Sequence, residues 1–528
     1  MSRMWWLLLL APSTMAWAAP DKTLVYCSEA SPSTFNPQLA TDGPTFNASS
    51  EMIYNRLVDF KAGTTEVQPS LAESWTVSKD GKVYTFKLRK QVKFHSRAEF
   101  MPKRDFTSED VVFTFQRMHN PEHPFHMVNG GTYEYYKSMG LDKLIKAVKS
   151  VDPLTVRFEL SRPEAPFIAN MAMDFASILS AEYADYLKKK GTPELIDIEP
   201  VGTGPYTLKS YSKDTNIRYE AHPEYFLGKA KIAKVVFAIT PEANVRFQRL
   251  KAGECQLVAE PAPQDLKGMR ALTSVDVVSG PGLNVGYLAM NVQKAPLDKK
   301  EVRMAIYHAL NREAYISAIY LNQAQIAKNP LPPTIWGYNE STSDHDYNPT
   351  KAKALLSQAG FDKGIELELW TLPVSRPYNP NGKKMGEMMK EDLAKVGIKV
   401  KLVTFDWPTY LAKAAKGEHQ LVQLGWTGDN GDPDNFLGVL LGCDAVSGGS
   451  NYSRWCSKAF DDLIQQARSE TRQAKRAELY KKAQLIFNQE VPWVPLAHSV
   501  VFRAHAKRLT GYTLNPLGTE NFYPLDIQ

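Results

Sequence analysis

The chain has 528 residues, which is too many for one hydrophobic core, so several domains are expected. Its 63 basic and 57 acidic residues leave a net charge of +6 that is spread along the sequence. The longest basic run is Lys188–Lys190, and it closes an amphipathic segment, as is typical of a solvated helix end. This charge pattern argues against nucleic acid as a partner.

The N-terminus has the pattern of a secretory signal peptide. Arg3 gives a positive start, Trp5–Leu10 are apolar, and Ala16-Trp17-Ala18 supplies the small residues that precede a cleavage point. The apolar run is too short to anchor the chain in a bilayer. Cys27 lies well beyond this run, which argues against lipid attachment. We therefore predict a cleaved signal peptide over residues 1–18 and an exported protein in a periplasmic space.

The chain contains four cysteines, Cys27, Cys255, Cys443 and Cys456, and three pairings are possible. A short loop rich in glycine and serine separates Cys443 from Cys456, which favours a local bridge between them. The remaining bridge would then join Cys27 to a distant segment. Four buried free thiols are the alternative, although disulfides are common in exported proteins.

Regular elements can be predicted at several places along the chain. Val83–Leu88 follows a turn and has the composition of the second strand of a hairpin. Phe106–Asp110 begins a helix with a good cap. Asp298 and Glu301 have the spacing of a capping box before another helix, and Asn348-Pro349 opens a third.

An alternation of strands and helices follows, and it predicts a βαβαβ unit of α/β type. In such units the connected strands run parallel, so a mostly parallel sheet is expected. The predicted elements are a strand at Ile365–Trp370, a helix at Lys383–Val396, a strand at Ile398–Thr404, a helix after Pro408 and a strand at Gln420–Gly425.

Two charged residues follow strands of this unit. Arg376 lies in a proline-framed loop after the first strand, and Asp429 lies in a glycine-rich loop after the last strand, close to Trp426. Ligands of parallel sheets bind beyond the carboxyl ends of the strands, so both residues are expected at one cleft. A carboxylate beside an indole suits an organic ammonium group, and arginine suits a carboxylate. The pair therefore predicts a site for a zwitterion such as a short peptide. In the alternative, Asp429 caps its own loop and Arg376 is a surface residue.

Three histidines, His119, His123 and His126, are close in sequence and could be metal ligands. Pro121 and Pro124 between them prevent a regular helix, so their side chains are not expected on one face. We predict no metal site and no cofactor.

Several segments of the chain resemble one protein class. They are Leu71–Trp75, Phe106–Phe115, Gly202–Tyr206, Leu283–Tyr287 and the loops around Arg376 and Asp429. The chain resembles the extracytoplasmic solute-binding proteins of the peptide and nickel class, and the last two loops resemble its dipeptide-binding branch.

The resemblance implies a two-lobed α/β fold of the type II, Venus flytrap kind, with an additional inserted domain. Lobe I would comprise residues 19–52, 188–280 and 500–528. Residues 53–187 would form the inserted domain, called domain II, and residues 281–499 would form lobe III. The class also implies the two disulfide bonds Cys27–Cys255 and Cys443–Cys456.

The resemblance also implies how a ligand is held. Asp429 would receive the α-ammonium group of a dipeptide, and Arg376 would receive its α-carboxylate. The remaining positions expected to line the ligand are Pro377, Tyr378, Trp426, Thr427 and Gly428, with Thr41 and Gly43 on the facing rim of lobe I.

The function that follows is transport rather than catalysis. The protein is expected to be a monomer that delivers short peptides to the inner-membrane permease of an ABC transporter, with a chemoreceptor as a further candidate partner. Tripeptides, glutathione and haem are alternative ligands. An exported peptide hydrolase is the alternative from a different class, but the sequence shows no nucleophile or metal motif that would support it.

Overall fold

The computed structural model describes residues 22–447 and 449–528. The signal peptide predicted over residues 1–18 lies outside the described residues. Within these two ranges, no helix combines the length and the apolar character that crossing a membrane requires.

The chain alternates between strands and helices over most of its length. The strands are β1 (Thr23–Ser28), β2 (Val58–Phe60), β3 (Val67–Pro69), β4 (Ala72–Val77), β5 (Val83–Leu88), β6 (Ile145–Asp152), β7 (Thr155–Leu160), β8 (Tyr206–Ser212), β9 (Asn216–Ala221), β10 (Lys234–Ile239), β11 (Leu257–Val258), β12 (Val275–Pro281), β13 (Asn284–Met290), β14 (Ala324–Ile326), β15 (Ile365–Trp370), β16 (Ile398–Val403), β17 (Leu421–Thr427), β18 (Trp493–Ala506), β19 (Leu509–Thr510) and β20 (Asp526–Ile527). The α-helices are α1 (Gly43–Ala48), α2 (Ser108–His119), α3 (Glu134–Ser138), α4 (Leu141–Leu144), α5 (Phe167–Asn170), α6 (Ala181–Lys190), α7 (Ala243–Lys251), α8 (Leu266–Arg270), α9 (Lys300–Ala309), α10 (Arg312–Tyr320), α11 (Pro349–Gln358), α12 (Gly382–Ala394), α13 (Trp407–Ala415), α14 (Asp434–Leu441), α15 (Lys458–Ser469) and α16 (Gln473–Glu490).

The main sheet runs through both halves of the molecule. In the described part of the chain it has twelve strands, ordered β16-β15-β17-β13-β18-β11-β1-β10-β9-β8, with β12 and β14 also paired to β18. Residues 493–497 of β18 pair with β13, and residues 500–506 pair with β12. β18 therefore connects the two halves by backbone hydrogen bonds.

The predicted βαβαβ unit is confirmed. β15 pairs in parallel with both β16 and β17, and α12 and α13 are the intervening helices. The expectation of a mostly parallel sheet is wrong for the sheet as a whole, because β17 pairs antiparallel with β13, and β13 pairs antiparallel with β18. These two strands come from distant parts of the chain, so no crossover helix fixes their direction.

The chain forms two lobes, and the first is built around one large hydrophobic core. This core takes buried apolar residues from positions 24–259 and 509–525. A separate antiparallel sheet, ordered β4-β5-β7-β6, packs into it. The rings of Phe86 on β5 and Phe158 on β7 lie 5.6 Å apart, and Phe115 of α2 lies 4.9 Å from Phe158. The hairpin and the helix predicted from sequence therefore pack together.

The second lobe has apolar cores on both faces of its part of the sheet. Successive residues of β13 show this, because Leu288 and Met290 belong to one core while Tyr287 and Ala289 belong to the other. Successive side chains of a strand point to opposite faces, so covering both faces buries every residue of β13. Such a doubly covered sheet is rigid, and it positions the loops that extend from its edge.

Two of the three predicted helix caps are confirmed. Thr107 and Asp110 form a capping box at the start of α2, and the Asn348 side chain caps α11. The capping box predicted at Asp298 is wrong. Helix α9 begins one residue later than the box requires, with Lys299 at its cap and no side-chain capping hydrogen bond.

The cysteines form two disulfide bonds, as the resemblance implied. Cys27 on β1 is joined to Cys255, and Cys443 is joined to Cys456 across a short loop. The alternative of four free thiols is therefore wrong. The first bond ties the N-terminal strand to a segment 228 residues further along the chain, and the second spans 13 residues.

The chain passes between the lobes at two adjacent places. One is the link between β12 and β13, and the other is β18 near Ser499. The Gly282 amide donates to the Ser499 carbonyl at 3.0 Å, and the Ser499 amide donates to the side chain of Asn284 at 2.9 Å. A Cβ on Gly282 would lie 2.2 Å from the Asn284 side-chain nitrogen, so this close approach requires glycine. The lobes are thus connected by two hydrogen-bonded segments, a narrow link that permits relative movement.

We expect loss of the Cys27–Cys255 bond to destabilise the protein more than loss of the Cys443–Cys456 bond. In the chain-entropy model, closing loops of 228 and 13 residues contributes about 5 and about 3 kcal/mol. Urea unfolding of the two double Cys→Ser variants, followed by circular dichroism, measures the difference. Equal shifts in the two midpoints would contradict the expectation.

Candidate functional site

Two loops meet at one edge of the sheet in the second lobe. β15 and β17 are parallel, with Trp370 paired to Val422, so the loops that follow them leave the sheet on the same side. The first loop carries Arg376, and the second carries Asp429. The structure therefore places the predicted pair on one rim, where parallel strands present ligand-binding loops.

Tyr378 locks the first loop onto the sheet. A Cβ on Gly425 of β17 would lie 2.2 Å from the Tyr378 ring, and a Cβ on Gly286 of β13 would lie 2.3 Å from the Tyr378 carbonyl. That carbonyl also accepts a hydrogen bond from the Tyr320 hydroxyl at 2.7 Å. The two glycines thus provide the space in which Tyr378 is buried against the strands.

Arg376 lies at one end of a tight turn that includes Pro377 and Tyr378. Its amide donates to the Asn379 carbonyl at 3.1 Å, and the Asn379 amide donates back at 3.0 Å. Burial raises the pKa of Tyr378 to about 12, and the nearby positive charge of Arg376 opposes that rise. The Arg376 side chain is exposed, and Pro377 is half-buried. The guanidinium is therefore held close to the Tyr378 ring and remains accessible.

The Asp429 carboxylate is held by hydrogen bonds from both lobes. The Tyr135 hydroxyl, on α3 of the first lobe, donates to Oδ1 at 2.7 Å. The Asn435 amide, in the first turn of α14, donates to Oδ2 at 3.2 Å. The Asn435 side-chain oxygen in turn accepts from the Asp429 backbone at 3.0 Å and from the Trp426 indole at 2.9 Å. One asparagine thus fixes the carboxylate and the indole relative to each other.

The electrostatic surroundings of Asp429 favour a cationic guest. Burial raises the pKa of its carboxyl to about 6, and the hydrogen bonds from Tyr135 and Asn435 oppose that rise. The negative charge of Asp174 raises this pKa further. Both side-chain donors to Asp429 are neutral. A cation that bound here would favour the ionised carboxylate and would offset the cost of its burial.

The residues between Trp426 and Asp429 continue the strand into the loop. Trp426 and Thr427 are half-buried at the end of β17, where they pair with β13. The Gly428 amide donates to the Leu283 carbonyl at 2.6 Å. A Cβ on Gly428 would lie 2.8 Å from the Phe436 ring, so a larger residue would displace the loop. The indole face and the carboxylate are therefore presented together.

The residues predicted for the facing rim lie at the start of α1 in the first lobe. Thr41 is exposed, Gly43 is half-buried, and a Cβ on Gly43 would meet no atom within 4 Å. Phe46 of the same helix has its ring 6.2 Å from the ring of Tyr135, which bonds Asp429. The structure thus connects this rim to the Asp429 end of the site.

Three residues that support the site were not predicted. Tyr135 and Asn435 hold the Asp429 carboxylate. Gln423, buried on β17, accepts hydrogen bonds from the Leu372 amide at 3.2 Å and from the Asn379 side chain at 3.4 Å, which ties the arginine loop to the strand. The asparagine follows Asp429 by six residues, inside the first turn of α14, and it does not cap that helix, so no capping pattern marks it. No local sequence signal connects Tyr135 to Asp429.

The three neighbouring histidines have structural hydrogen bonds. His119 bonds the Tyr136 hydroxyl at 3.0 Å, His126 bonds the Arg117 carbonyl at 2.7 Å, and His123 accepts from the Phe125 amide at 3.3 Å. Over the described ranges, no group of three or more His, Cys, Asp or Glu side chains is arranged to hold a metal ion.

Residues 66–448 match the family model described as bacterial extracellular solute-binding proteins, family 5 Middle. The chain belongs to this family. The match covers more than half of the sequence and includes both loops of the site. The lobed α/β architecture described above is therefore that of a family 5 solute-binding protein.

Curated family members are similar over nearly the whole chain. The dipeptide-binding protein of Escherichia coli (strain K12) is 53% identical over 521 residues, which cover 99% of this chain and 97% of that protein. Heme-binding protein A of Haemophilus influenzae is 46% identical over 514 residues, which cover 97% of this chain and 94% of that protein. Members named for different ligands thus share this framework.

A solved structure has the same fold. It is the dipeptide-binding protein from Pseudoalteromonas sp. SM9913 in complex with Met-Leu, with a TM-score of 0.87 and 38% sequence identity. The alignment covers 96% of this chain and all of that one. The two-lobed fold predicted from sequence is therefore confirmed.

We expect Gly425→Ala to expel Tyr378 from its place on β17. The new Cβ would lie 2.2 Å from the ring, and relieving such overpacking costs about 1–3 kcal/mol. Urea unfolding measures the loss of stability, and near-ultraviolet circular dichroism reports the changed tyrosine environment. Gly43→Ala is the matched control, because its Cβ meets open space. Equal stability of the two variants would show that Tyr378 does not depend on Gly425.

Proposed function

We propose that the protein captures short peptides, dipeptides above all, as the substrate-binding component of an ABC transporter. The observation that carries the proposal is the half-buried Asp429 carboxylate, which neutral donors hold on the same sheet edge as Arg376. A dipeptide supplies the ammonium group that Asp429 needs and the carboxylate that suits Arg376. The 53% identity to a dipeptide-binding protein supports the same ligand class.

The two ends of the peptide would bind to the two charged residues. Asp429 receives the α-ammonium group, and the Trp426 indole excludes water and adds cation–π attraction. Arg376 receives the α-carboxylate as a bidentate partner. The remaining proposed lining residues are Pro377, Tyr378, Thr427 and Gly428. Because these two charges have a fixed separation, the site selects peptides by length more strongly than by side chain.

Closure of the lobes would complete the site. Thr41 and Gly43 face the peptide from the first lobe, so a bound peptide touches both lobes and favours the closed form. We infer that the first lobe consists of the predicted lobe I (residues 19–52, 188–280 and 500–528) together with domain II (53–187), which share one core, and that the second lobe is the predicted lobe III (281–499). The crossing at Gly282 and Ser499 supports this division.

The proposed setting is the periplasm, with residues 1–18 removed during export. The protein would work as a monomer that delivers its cargo to an inner-membrane permease, and a chemoreceptor could dock on the closed form. We propose that the protein does no chemistry on the peptide. Incubation with Ala-Ala followed by assay for free alanine tests this, since release of alanine would favour a hydrolase.

Haem is the second candidate cargo, because a relative named for haem binding is 46% identical over 514 residues. Titration with haem, followed by its absorbance, tests this role. Mass spectrometry of ligand retained during purification would distinguish dipeptides from tripeptides, glutathione and haem in one measurement.

We expect blocked peptides to bind poorly. Calorimetry with Ala-Ala, N-acetyl-Ala-Ala and Ala-Ala-amide tests each end separately. Leaving a buried charge unpaired costs about 3–5 kcal/mol, so acetylation or Asp429→Asn should weaken binding by at least about 100-fold. Arg376→Met should weaken it less, by about tenfold, because that side chain is exposed.

Asp462→Asn is the matched control, because Asp462 is an exposed acid of the same lobe that pairs with Lys458. Its affinity for Ala-Ala should equal that of the unmodified protein. Equal binding of free and blocked dipeptides would overturn recognition by the charged termini.

Peptide affinity should decrease in acid. Burial holds the pKa of Asp429 near 6 without ligand, and a bound ammonium favours the charged carboxylate, so binding at low pH must release a proton. Affinity should therefore stay level above about pH 7 and fall below about pH 6, by up to about tenfold per pH unit. Calorimetry at pH 7.5 and pH 5 measures the change. Asp429→Asn should lose this dependence, and equal affinity of the unmodified protein at both pH values would contradict the assignment.

A further inference from the structure

The lobes also meet at a second place, where an ion pair crosses between them. In the first lobe, Glu164 and Ala165 precede helix α5, and in the second lobe Arg468 lies near the end of α15. The Ala165 amide donates to the Arg468 carbonyl at 2.7 Å. The Arg468 Nε lies 3.8 Å from Glu164 Oε1. One residue of the second lobe thus contacts the first lobe through both its backbone and its charge.

Arg468 is fixed from its own side by Asp434. The Nε and Nη2 atoms of Arg468 donate to the two carboxylate oxygens of Asp434 at 2.8 and 3.0 Å. A Cβ on Gly438, one turn further along α14, would lie 2.5 Å from Nη2, so the glycine makes room for the guanidinium. The bidentate pair leaves the guanidinium little freedom to turn away.

The cluster of Glu164, Arg468 and Asp434 is buried where the lobes touch. Side-chain exposure is 7% for Glu164, 15% for Arg468 and 10% for Asp434. Burial raises the pKa of Glu164 to about 7, and the positive charge of Arg468 opposes that rise. Arg162 also bonds Glu164 at 3.2 Å, but its side chain is 44% exposed. The guanidinium of Arg468 is therefore the buried partner of two carboxylates, one from each lobe.

The same segments connect this cluster to the peptide site. Asn430, adjacent to Asp429, donates to the Asn170 side chain at 2.9 Å, and Asn170 is the last residue of α5. Asp434 begins α14 only five residues after Asp429. The loop that carries the ligand carboxylate thus packs on α5 next to the ion pair.

We propose that Glu164, Arg468 and Asp434 form an ionic latch that holds the two lobes closed and slows the release of bound peptide. The inference rests on the proposed function. Opening the lobes would separate Arg468 from Glu164 but not from Asp434, so the latch acts only in the closed form. None of the three residues needs to touch the peptide, because they act by holding the lobes together. A contact present only in the closed form changes the dissociation rate more than the association rate.

Arg468→Met tests the latch, with Arg472→Met as the matched control. Arg472 lies in the loop between α15 and α16, is 62% exposed and pairs with Glu470. Dissociation of Ala-Ala, followed by stopped-flow tryptophan fluorescence, should be at least about tenfold faster in Arg468→Met and unchanged in Arg472→Met. The melting temperature of each unliganded variant shows whether a change in rate comes from a loss of fold.

Gly438→Ala is a second test that keeps every charge. Its Cβ would displace the guanidinium, so it should speed release in the same direction as Arg468→Met. Arg468→Lys should restore part of the slow release, because it restores the charge without the bidentate geometry. A role confined to stability would lower the melting temperature of these variants without changing the release rate.

Small-angle scattering separates failure of the latch from failure of the proposed function. The unliganded Arg468→Met protein should have a larger radius of gyration than the unmodified protein, whether or not Ala-Ala binds. If Ala-Ala does not bind the unmodified protein, the peptide assignment fails, and scattering alone decides the latch. Equal radii together with equal release rates in Arg468→Met and Gly438→Ala would overturn the latch.

Discussion

The Asp429 carboxylate is held between the two lobes by neutral donors, Tyr135 from one and Asn435 from the other. Burying a carboxylate partly away from water is costly, and these two hydrogen bonds offset that cost only while Tyr135 and Asn435 stay in place. Gly428 allows the loop to pack on Phe436, and Gly425 allows Tyr378 to bring the arginine loop to the same strand. These contacts of the second lobe thus hold the Asp429 carboxylate and Arg376 in position.

The pairing of Arg376 and Asp429 on one rim could be predicted from sequence because it depends on a local pattern. Strand and helix periods between residues 365 and 427 define a βαβαβ unit, and the geometry of that unit places the ends of β15 and β17 at one edge. Tyr135 could not be predicted, since it lies 294 residues from Asp429 and reaches it only through the arrangement of whole lobes. Contacts set by tertiary structure leave no periodic signal in the chain.

Other differences have the same physical origin. The antiparallel pairing of β13 with β18 joins strands about 200 residues apart, so the expectation of a mostly parallel sheet failed beyond β17. The residues alone allowed three pairings for the four cysteines; the short loop favoured Cys443–Cys456, and the family resemblance implied both observed bonds. At α9 the spacing of Asp298 and Glu301 was correct for a capping box, but the helix begins one residue later, with Lys299 at its cap. A sequence pattern shows which structures a segment can form, and its contacts in the folded protein decide which one it adopts.

The pairing of β18 with strands of both lobes has a consequence for folding. Without it, the main sheet would fall into two pieces, β16-β15-β17-β13 and β11-β1-β10-β9-β8, with β12 and β14 left without their partner. β18 follows every other strand of this sheet in the chain, so the two pieces can be joined only after residues 493–506 have been synthesised. The two lobes therefore share the step that completes their common sheet, and neither has its final strand neighbours until β18 pairs with both.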